Sequence, residues 1–400
     1  MHGPPLPFVG TVRYLGGRVP DSTMVLVALS LANRSLTFVT EGVMQRAEYA
    51  VVLDFQRDGA SVQRVETRET VRVSSFKETT RAEESIIFQR LTTVPPGAYT
   101  LAITVRDEGG TNTAVEQVPV TVPRLMPRTL SSPIVVYRAS PRTSVDAAPN
   151  LIANPRSTVV FGRDSLVPVY IEGYGLAADT HVVVGVLDDE RRVVMQDTVT
   201  FAGQGSLSSK VLSFRIPQLG VGSLTLTASL IGGGEPVSAP VFVSFGEELG
   251  IIGFDELLSY LRYYAIAERL APLRDSVPER RAAAWAAFWK STDPIPATPE
   301  HEGLRDYFAR VQTANLRFRE EGGEGWLTDR GEVYITLGEP DQLMEQGGPG
   351  VGARGRVEVW EYAKYHVQLV FVDQTGFGRW RLTPASEADF RQIEQRELVH

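Results

Sequence analysis

At Glu247 the hydrophobic pattern of this chain changes period, from two residues to 3.6, and that change divides the fold into a β part and a helical part. Before it, apolar runs of strand length, alternating or continuous, recur at 23–31, 47–55, 84–91, 99–105 and 115–122. Turn signals such as Asp58-Gly59, Pro95-Pro96-Gly97 and Gly109-Gly110 part them. After Pro123 and Pro127 the style repeats, with runs at 167–171, 181–187, 193–201, 208–216, 223–230 and 241–245. Gly97-Ala98-Tyr99-Thr100-Leu101 and Gly222-Ser223-Leu224-Thr225-Leu226 each open a penultimate strand, an echo that supports duplication. Short strands at this spacing predict two β-sandwiches of immunoglobulin- or fibronectin type III-like kind, at 1–123 and 128–246, with linkers at 123–131 and 246–250.

Beyond Glu247 the spacing predicts three helices. The first runs from Phe254 to about Arg274 on a stripe of Leu257, Leu258, Leu261, Tyr264 and Ala265. Ser276 is placed to cap the second, which Ala282 to Trp289 fill. The third starts near Pro299, buries Leu304, Tyr307, Phe308, Val311, Ala314 and Phe318, and stops at Gly322-Gly323. Strand runs follow at 332–337, 357–362, 366–373 and 378–382. The chain is therefore expected to be multidomain, its third domain (250–385) being α+β with three helices and a small antiparallel sheet. The tail, 386–400, has room for one more helix.

Composition removes several function classes. A net charge of −8 argues against a general nucleic-acid binder, which presents a basic face. No apolar run reaches the roughly 18 residues that a membrane span requires. Met1-His2-Gly3-Pro4-Pro5 shows no signal peptide, which leaves a cytoplasmic chain or one lacking a removed leader. Without cysteine there are no disulfides, thiolate metal sites or cysteine nucleophiles. The five histidines show no His-x-Glu or His-Glu-x-x-His spacing, so neither a metal site nor a cofactor is expected.

The densest motif is Gly325-Trp326-Leu327-Thr328-Asp329, running on to Gly338-Glu339-Pro340-Asp341. With Phe288-Trp289, Asp293-Pro294, Phe371, Asp373 and Gly376-Phe377-Gly378, it resembles the GWxTD-domain family of bacterial proteins. Thr292 and His301 depart from that pattern, which more often has a basic residue and an asparagine there. The family mostly carries export signals and has no established activity. The resemblance thus implies an extracytoplasmic location, in the periplasm or on the cell surface, and envelope or surface proteins as partners. Peripheral association with a membrane stays open.

Trp326, Thr328, Asp329, Arg330 and Asp341 are the candidate ligand- or partner-binding residues. One reading is structural: Thr328 and Asp329 bond nearby amides, Gly331 supplies a positive φ, and Trp326 plugs a gap between helix and sheet. The other makes Trp326 a stacking platform and Asp329 with Asp341 a carboxylate pair of the glycosidase type. The remaining motifs carry less. Gly347 to Arg356 lacks the Gly-Lys-Ser/Thr and the following helix of a phosphate loop. Gly205 to Ser209 lacks a nucleophile elbow. Asp188-Asp189-Glu190 reads as a hairpin turn. Tyr170 and Tyr174 are candidates for exposed aromatics on a sugar-binding sandwich face, and Tyr260 to Trp289 for a helical core or docking patch. No catalytic residue is assigned. The expectation is a non-enzymatic binding or structural protein of an envelope or surface assembly, the alternative an envelope-glycan hydrolase or carbohydrate-binding protein.

Overall fold

A computed structural model describes residues 8–398 apart from 19–20, 76–78, 80–84, 126, 162, 202–204, 245–253, 298–300, 321–322 and 348–354. The expected linker at 246–250 and the glycine-rich 348–354 lie outside the described residues. The chain forms two compact units: Met1–Val159 with Leu166–Leu219 and Leu224–Phe242, and Val243–His400 with 160–165 and 220–223.

The first unit is built from strands. They are β1 (Phe8–Gly16), β2 (Thr23–Ala32), β3 (Val39–Glu41), β4 (Met44–Arg57), β5 (Ala60–Val73), β6 (Ser85–Val94), β7 (Gly97–Asp107) and β8 (Thr113–Val122). Then come β9 (Thr129–Leu130), β10 (Ile134–Ser140), β11 (Asn150–Ala153), β12 (Thr158–Val160), β13 (Leu166–Tyr174), β14 (Thr180–Leu187), β15 (Val193–Phe201) and β16 (Leu207–Arg215). One helical turn, α1 (Ile216–Leu219), precedes β17 (Gly222–Leu230) and β18 (Val237–Ser244). Sheet orders are β1-β2-β6, β3-β4-β7-β8 with β5 also on β4, β11-β10-β13-β16, and β12-β18-β17-β14-β15.

The continuous apolar run Met24-Val25-Leu26-Val27-Ala28-Leu29 has a physical reason. β2 is buried on both faces, as an alternating amphipathic strand is not. Val25, Val27, Leu29 and Leu31 pack with Tyr49, Val51, Leu53 and Phe55 of β4 and Leu101, Ile103 and Val105 of β7. Leu26 and Ala28 join Leu15, Ile134, Val136, Leu151, Ala153 and Tyr170 in a second core, across the segment 123–131. Gln89 of β6 adds polar ties to β11: its side-chain nitrogen donates to the Leu151 carbonyl at 3.0 Å and its oxygen accepts from the Ala153 amide at 2.8 Å.

Beside this core lies a buried polar knot. Arg142 Nε donates to Glu172 Oε1 at 2.6 Å and Nη2 to Glu172 Oε2 at 2.9 Å. Tyr170 donates to Glu172 Oε1 at 2.6 Å, and the Tyr174 hydroxyl donates to Oε2. Arg142 Nη2 also donates to the Gly16 carbonyl at 2.7 Å, and the Gly16 amide to the Tyr174 hydroxyl at 2.6 Å. Burial opposes the Arg142 charge, but the Glu172 carboxylate outweighs it and raises the Arg142 pKa. Tyr170 and Tyr174 are thus buried ligands of Glu172, not the exposed sugar-stacking aromatics expected of them.

The second unit holds α2 (Phe254–Tyr260), α3 (Ala267–Arg274), α4 (Pro278–Thr292), α5 (Glu302–Arg317), α6 (Asp329–Leu337) and α7 (Pro384–Glu397). Its sheet is β19 (Gln342–Gly347), β20 (Arg356–Tyr362), β21 (Val367–Asp373) and β22 (Arg381–Leu382), in that spatial order. Both α and β are present, yet four expectations are corrected. Three helices were expected ahead of the tail and five are formed there among the described residues, the sixth, α7, lying where the tail had room for one. The expected first helix breaks at a 3-10 turn over Leu261–Tyr263, and its second half starts after an extended Ile266. Ser276 does not cap α4; its hydroxyl donates back to the Leu273 carbonyl at 2.6 Å, and Pro278 opens α4. The expected strand 332–337 is helix α6, for reasons set out below. The stripe on α5 is as expected: Leu304, Tyr307, Phe308, Val311 and Ala314 are buried, and Phe318 follows, although the helix ends at Arg317 rather than Gly322. Tyr260, Tyr264, Trp285 and Phe288 are buried in the helical core, Trp285 lying edge-on to Phe254 and Phe288.

Candidate functional site

The Gly-Trp-x-Thr-Asp segment is a backbone-on-backbone joint. A Cβ on Gly325 would stand 2.1 Å from the Ala314 carbonyl oxygen, so the 3-10 turn Gly325–Leu327 lies directly on α5. A Cβ on Gly331 would stand 1.9 Å from the Gly325 oxygen, so α6 lies directly on that turn. Gly331 is helical and does not supply the positive φ expected of it; close approach is what requires glycine there. Thr328 Oγ1 accepts from the Gly331 amide at 3.1 Å and donates to the Gly325 carbonyl at 2.8 Å. That bond is an N-cap, and Asp329 and Glu332 place carboxylates in the first turn. Cap, first-turn charge and packing together override the strand preference of Val333, Ile335 and Thr336.

Each candidate side chain has an internal partner. Trp326 is 4% exposed; Nε1 donates to Glu324 Oε2 at 2.5 Å, and its ring centre lies 4.6 Å from that of Tyr260, with the Arg262 guanidinium 4.8 Å above it. Asp329 Oδ2 accepts from the Leu382 amide of β22 at 2.8 Å, and Oδ1 lies 3.6 Å from Arg381. Arg330 pairs with buried Glu358 at 3.1 Å and stacks on Phe318 and Trp380. Burial lowers the Arg330 pKa, and Glu358 works against that. Asp341 Oδ2 accepts from the Ala363 amide at 2.7 Å, at the far edge of the sheet from β22.

Trp326, Thr328, Asp329 and Arg330 thus share one joint, and Asp341 does not belong to it. Asp341 adjoins β19, and its amide bonds the Glu361 carbonyl; Leu382 lies opposite Phe371, which lies opposite Glu358. Three strand spacings and about four residues of rise put the two backbone sites on the order of 20 Å apart. Glycosidase carboxylates stand about 5–9.5 Å apart. The expected carboxylate pair is not assembled.

A second constellation centres on Asp373, which the resemblance picks out together with Gly376-Phe377-Gly378 but does not assign as a site. The Asp373 carboxylate is fully buried at the end of β21. It accepts from the amides of Thr375, Gly376 and Gly378 at 3.2, 2.9 and 2.8 Å and from Thr375 Oγ1 at 3.1 Å. Arg356 pairs with it at 3.2 Å. Burial would raise its pKa, but the Gly378 amide, Arg356, Thr375 and the Gly376 amide bring it down to about 2. The loop so pinned carries Phe377, 81% exposed, between Gly376 and Gly378 at positive φ.

Thr292 and His301, the two atypical positions, touch each other. His301 Nδ1 accepts from the Leu304 amide at 3.1 Å and caps α5; Nε2 lies 3.0 Å from Thr292 Oγ1, which donates to the Phe288 carbonyl at 2.9 Å. This chain requires the neutral ring with its proton on Nε2. Burial lowers the His301 pKa, with Asp293 and Glu302 acting against it. In the first unit, Asp188 accepts from the Glu190 and Arg192 amides at 3.0 and 2.8 Å, a turn held by its own aspartate. Among the described residues no three His, Asp or Glu side chains converge as metal ligands.

Comparison with known proteins assigns part of this chain. The GWxTD domain model matches residues 251–377, so that stretch is a GWxTD domain. Comparison with the curated proteins finds no match. Solved structures similar to parts of it include dimeric latent PorU from Porphyromonas gingivalis, at 11% identity and TM-score 0.27, over 59% of this chain and 20% of that one. Trypsin-activated alpha-2-macroglobulin from Escherichia coli is similar at 11% identity and TM-score 0.21, over 63% of this chain and 18% of that one. The similarity thus spans about a fifth of the length of either protein.

Proposed function

We propose that this chain is a non-enzymatic binding or structural protein of a bacterial envelope or surface assembly. Immunoglobulin- or fibronectin type III-like modules, 1–123 and 128–246, present the GWxTD domain as the binding end. One observation carries this reading. The residues best placed for chemistry are all engaged in holding the fold, whereas the loop that Asp373 pins exposes an apolar ring. A rigid loop presenting an aromatic is suited to contact, because little conformational entropy is lost when it docks. The extracytoplasmic location rests on the export habit of the GWxTD group and agrees with a chain free of cysteine.

The test is affinity purification from the fractionated envelope of the native host, using the tagged full chain beside Phe377→Ser. We expect stoichiometric recovery of envelope proteins by the unaltered chain. The variant should recover several-fold less at an unchanged melting temperature. Recovery of cytoplasmic proteins only, or of the chain alone, refutes the reading.

A further inference from the structure

The strand β5 is the outer edge of its sheet. It pairs with β4 from Ala60 to Val73 with one bulge, at Val62, and among the described residues nothing pairs with its other side. It runs 14 residues with no proline or glycine, and none of its residues is buried. The opposite edge of the same sheet, β8, is interrupted by Pro119, which has no amide to offer a further strand. Open edges of this length are uncommon, because they template pairing with other chains.

The charges on β5 suggest what covers it. On the face shared with Val52 and Ala50, β5 presents Arg64, Glu66, Arg68 and Arg72. Glu66 lies 3.2 Å from Arg106, and Arg72 3.1 Å from Glu41. Arg64 acts on Asp54. Arg68 has no carboxylate within ion-pair distance among the described residues.

We infer that β5 pairs with β5 of a second copy of this chain, antiparallel and centred on Thr67. In that register Glu66 of each copy lies opposite Arg68 of the other, and both point to the same face, which gives Arg68 the carboxylate it lacks. Residues 61–73 of each strand are then covered over almost their full length. A register centred one residue away sets Glu66 against Glu66 or Arg68 against Arg68. The interface is isologous and closes as a dimer rather than a fibre. This inference does not rest on the function proposed for the GWxTD domain.

Sedimentation velocity on the full chain over a micromolar dilution series tests it. The unaltered chain is expected to dimerise. Glu66→Arg and Arg68→Glu each set like charges opposite one another twice and should weaken association about 100-fold or more. Mixed, the two variants are complementary and should form the heterodimer. Thr67→Cys gives a cysteine-free chain one thiol, at the symmetry centre, where opposed Cα atoms about 4.5–5.5 Å apart suit a disulfide. It should cross-link on oxidation. Val62→Cys should not, because the two copies of residue 62 are then about 33 Å apart. A monomer throughout the series, a dimer indifferent to both charge reversals, or equal cross-linking at 62 and 67 overturns the inference.

Discussion

Replacing Gly331 with alanine sets two principles against each other. In an unconstrained helix the change stabilises by about 1 kcal/mol, because alanine loses less backbone entropy than glycine. In α6 the new Cβ would lie 1.9 Å from the Gly325 oxygen, 2.8 Å from its carbonyl carbon and 3.1 Å from the Trp326 Cα. All three atoms are backbone, and no side-chain rotation relieves the clash. The helix start must move by more than an ångström, which costs about 1–3 kcal/mol as overpacking, and the Thr328 cap it stretches is worth about 1 kcal/mol. Trp326 is displaced with the turn. With the gain of about 1 kcal/mol from alanine set against these costs, the net expectation is a destabilisation of about 1–3 kcal/mol, or roughly 2–12 °C in melting temperature for a unit of this size. All five tryptophans (285, 289, 326, 360 and 380) lie in the second unit, so tryptophan fluorescence during thermal unfolding reports on it selectively. Gly323→Ala is the control, since a Cβ there meets nothing within 4 Å. An unchanged or raised melting temperature for Gly331→Ala would show that the joint yields and that its glycine is not sterically required.

Two further outcomes follow from buried charges. Glu172→Ala leaves the Arg142 guanidinium buried without its carboxylate and should cost about 3–5 kcal/mol, read by circular dichroism as the transition that tryptophan fluorescence does not report. A loss below about 1 kcal/mol would mean that water reaches the knot. His301 has a folded pKa below its unfolded one, so its contribution to stability is complete above the unfolded value near 6.5 and is lost as pH falls through the folded one. The melting temperature of the second unit should therefore fall on acidification below about 6.5, and His301→Asn, which keeps a cap acceptor, should flatten that dependence. An equally steep profile in the variant would place the titration elsewhere.

The elements legible in sequence were those whose pattern is local. The i, i+3, i+4 stripe of α5 locates its buried face, and 357–362 and 366–373 lie within a residue of β20 and β21. The segment 332–337 misled because Val333, Ile335 and Thr336 are β-branched or alternate. The contrary signal was nonetheless present, as Thr328-Asp329 with Glu332 is a helix start. What stayed illegible was tertiary. Nothing local in Gly331 distinguishes a positive φ from a close approach. Asp329 and Asp341 look like a pair at a spacing of twelve residues, and only strand order sets them apart. Arg142 and Glu172 meet across thirty residues with no pattern to announce it.

The burial of β2 on both faces bears on the order in which synthesis can complete the first unit. Residues 8–122 leave the ribosome able to form the core shared with β4 and β7. The other face of β2 has no partner until Ile134, Val136, Leu151 and Tyr170 have also emerged. Over that interval Leu15, Leu26 and Ala28 are sticky, and this is where a chaperone would be most useful to the nascent chain.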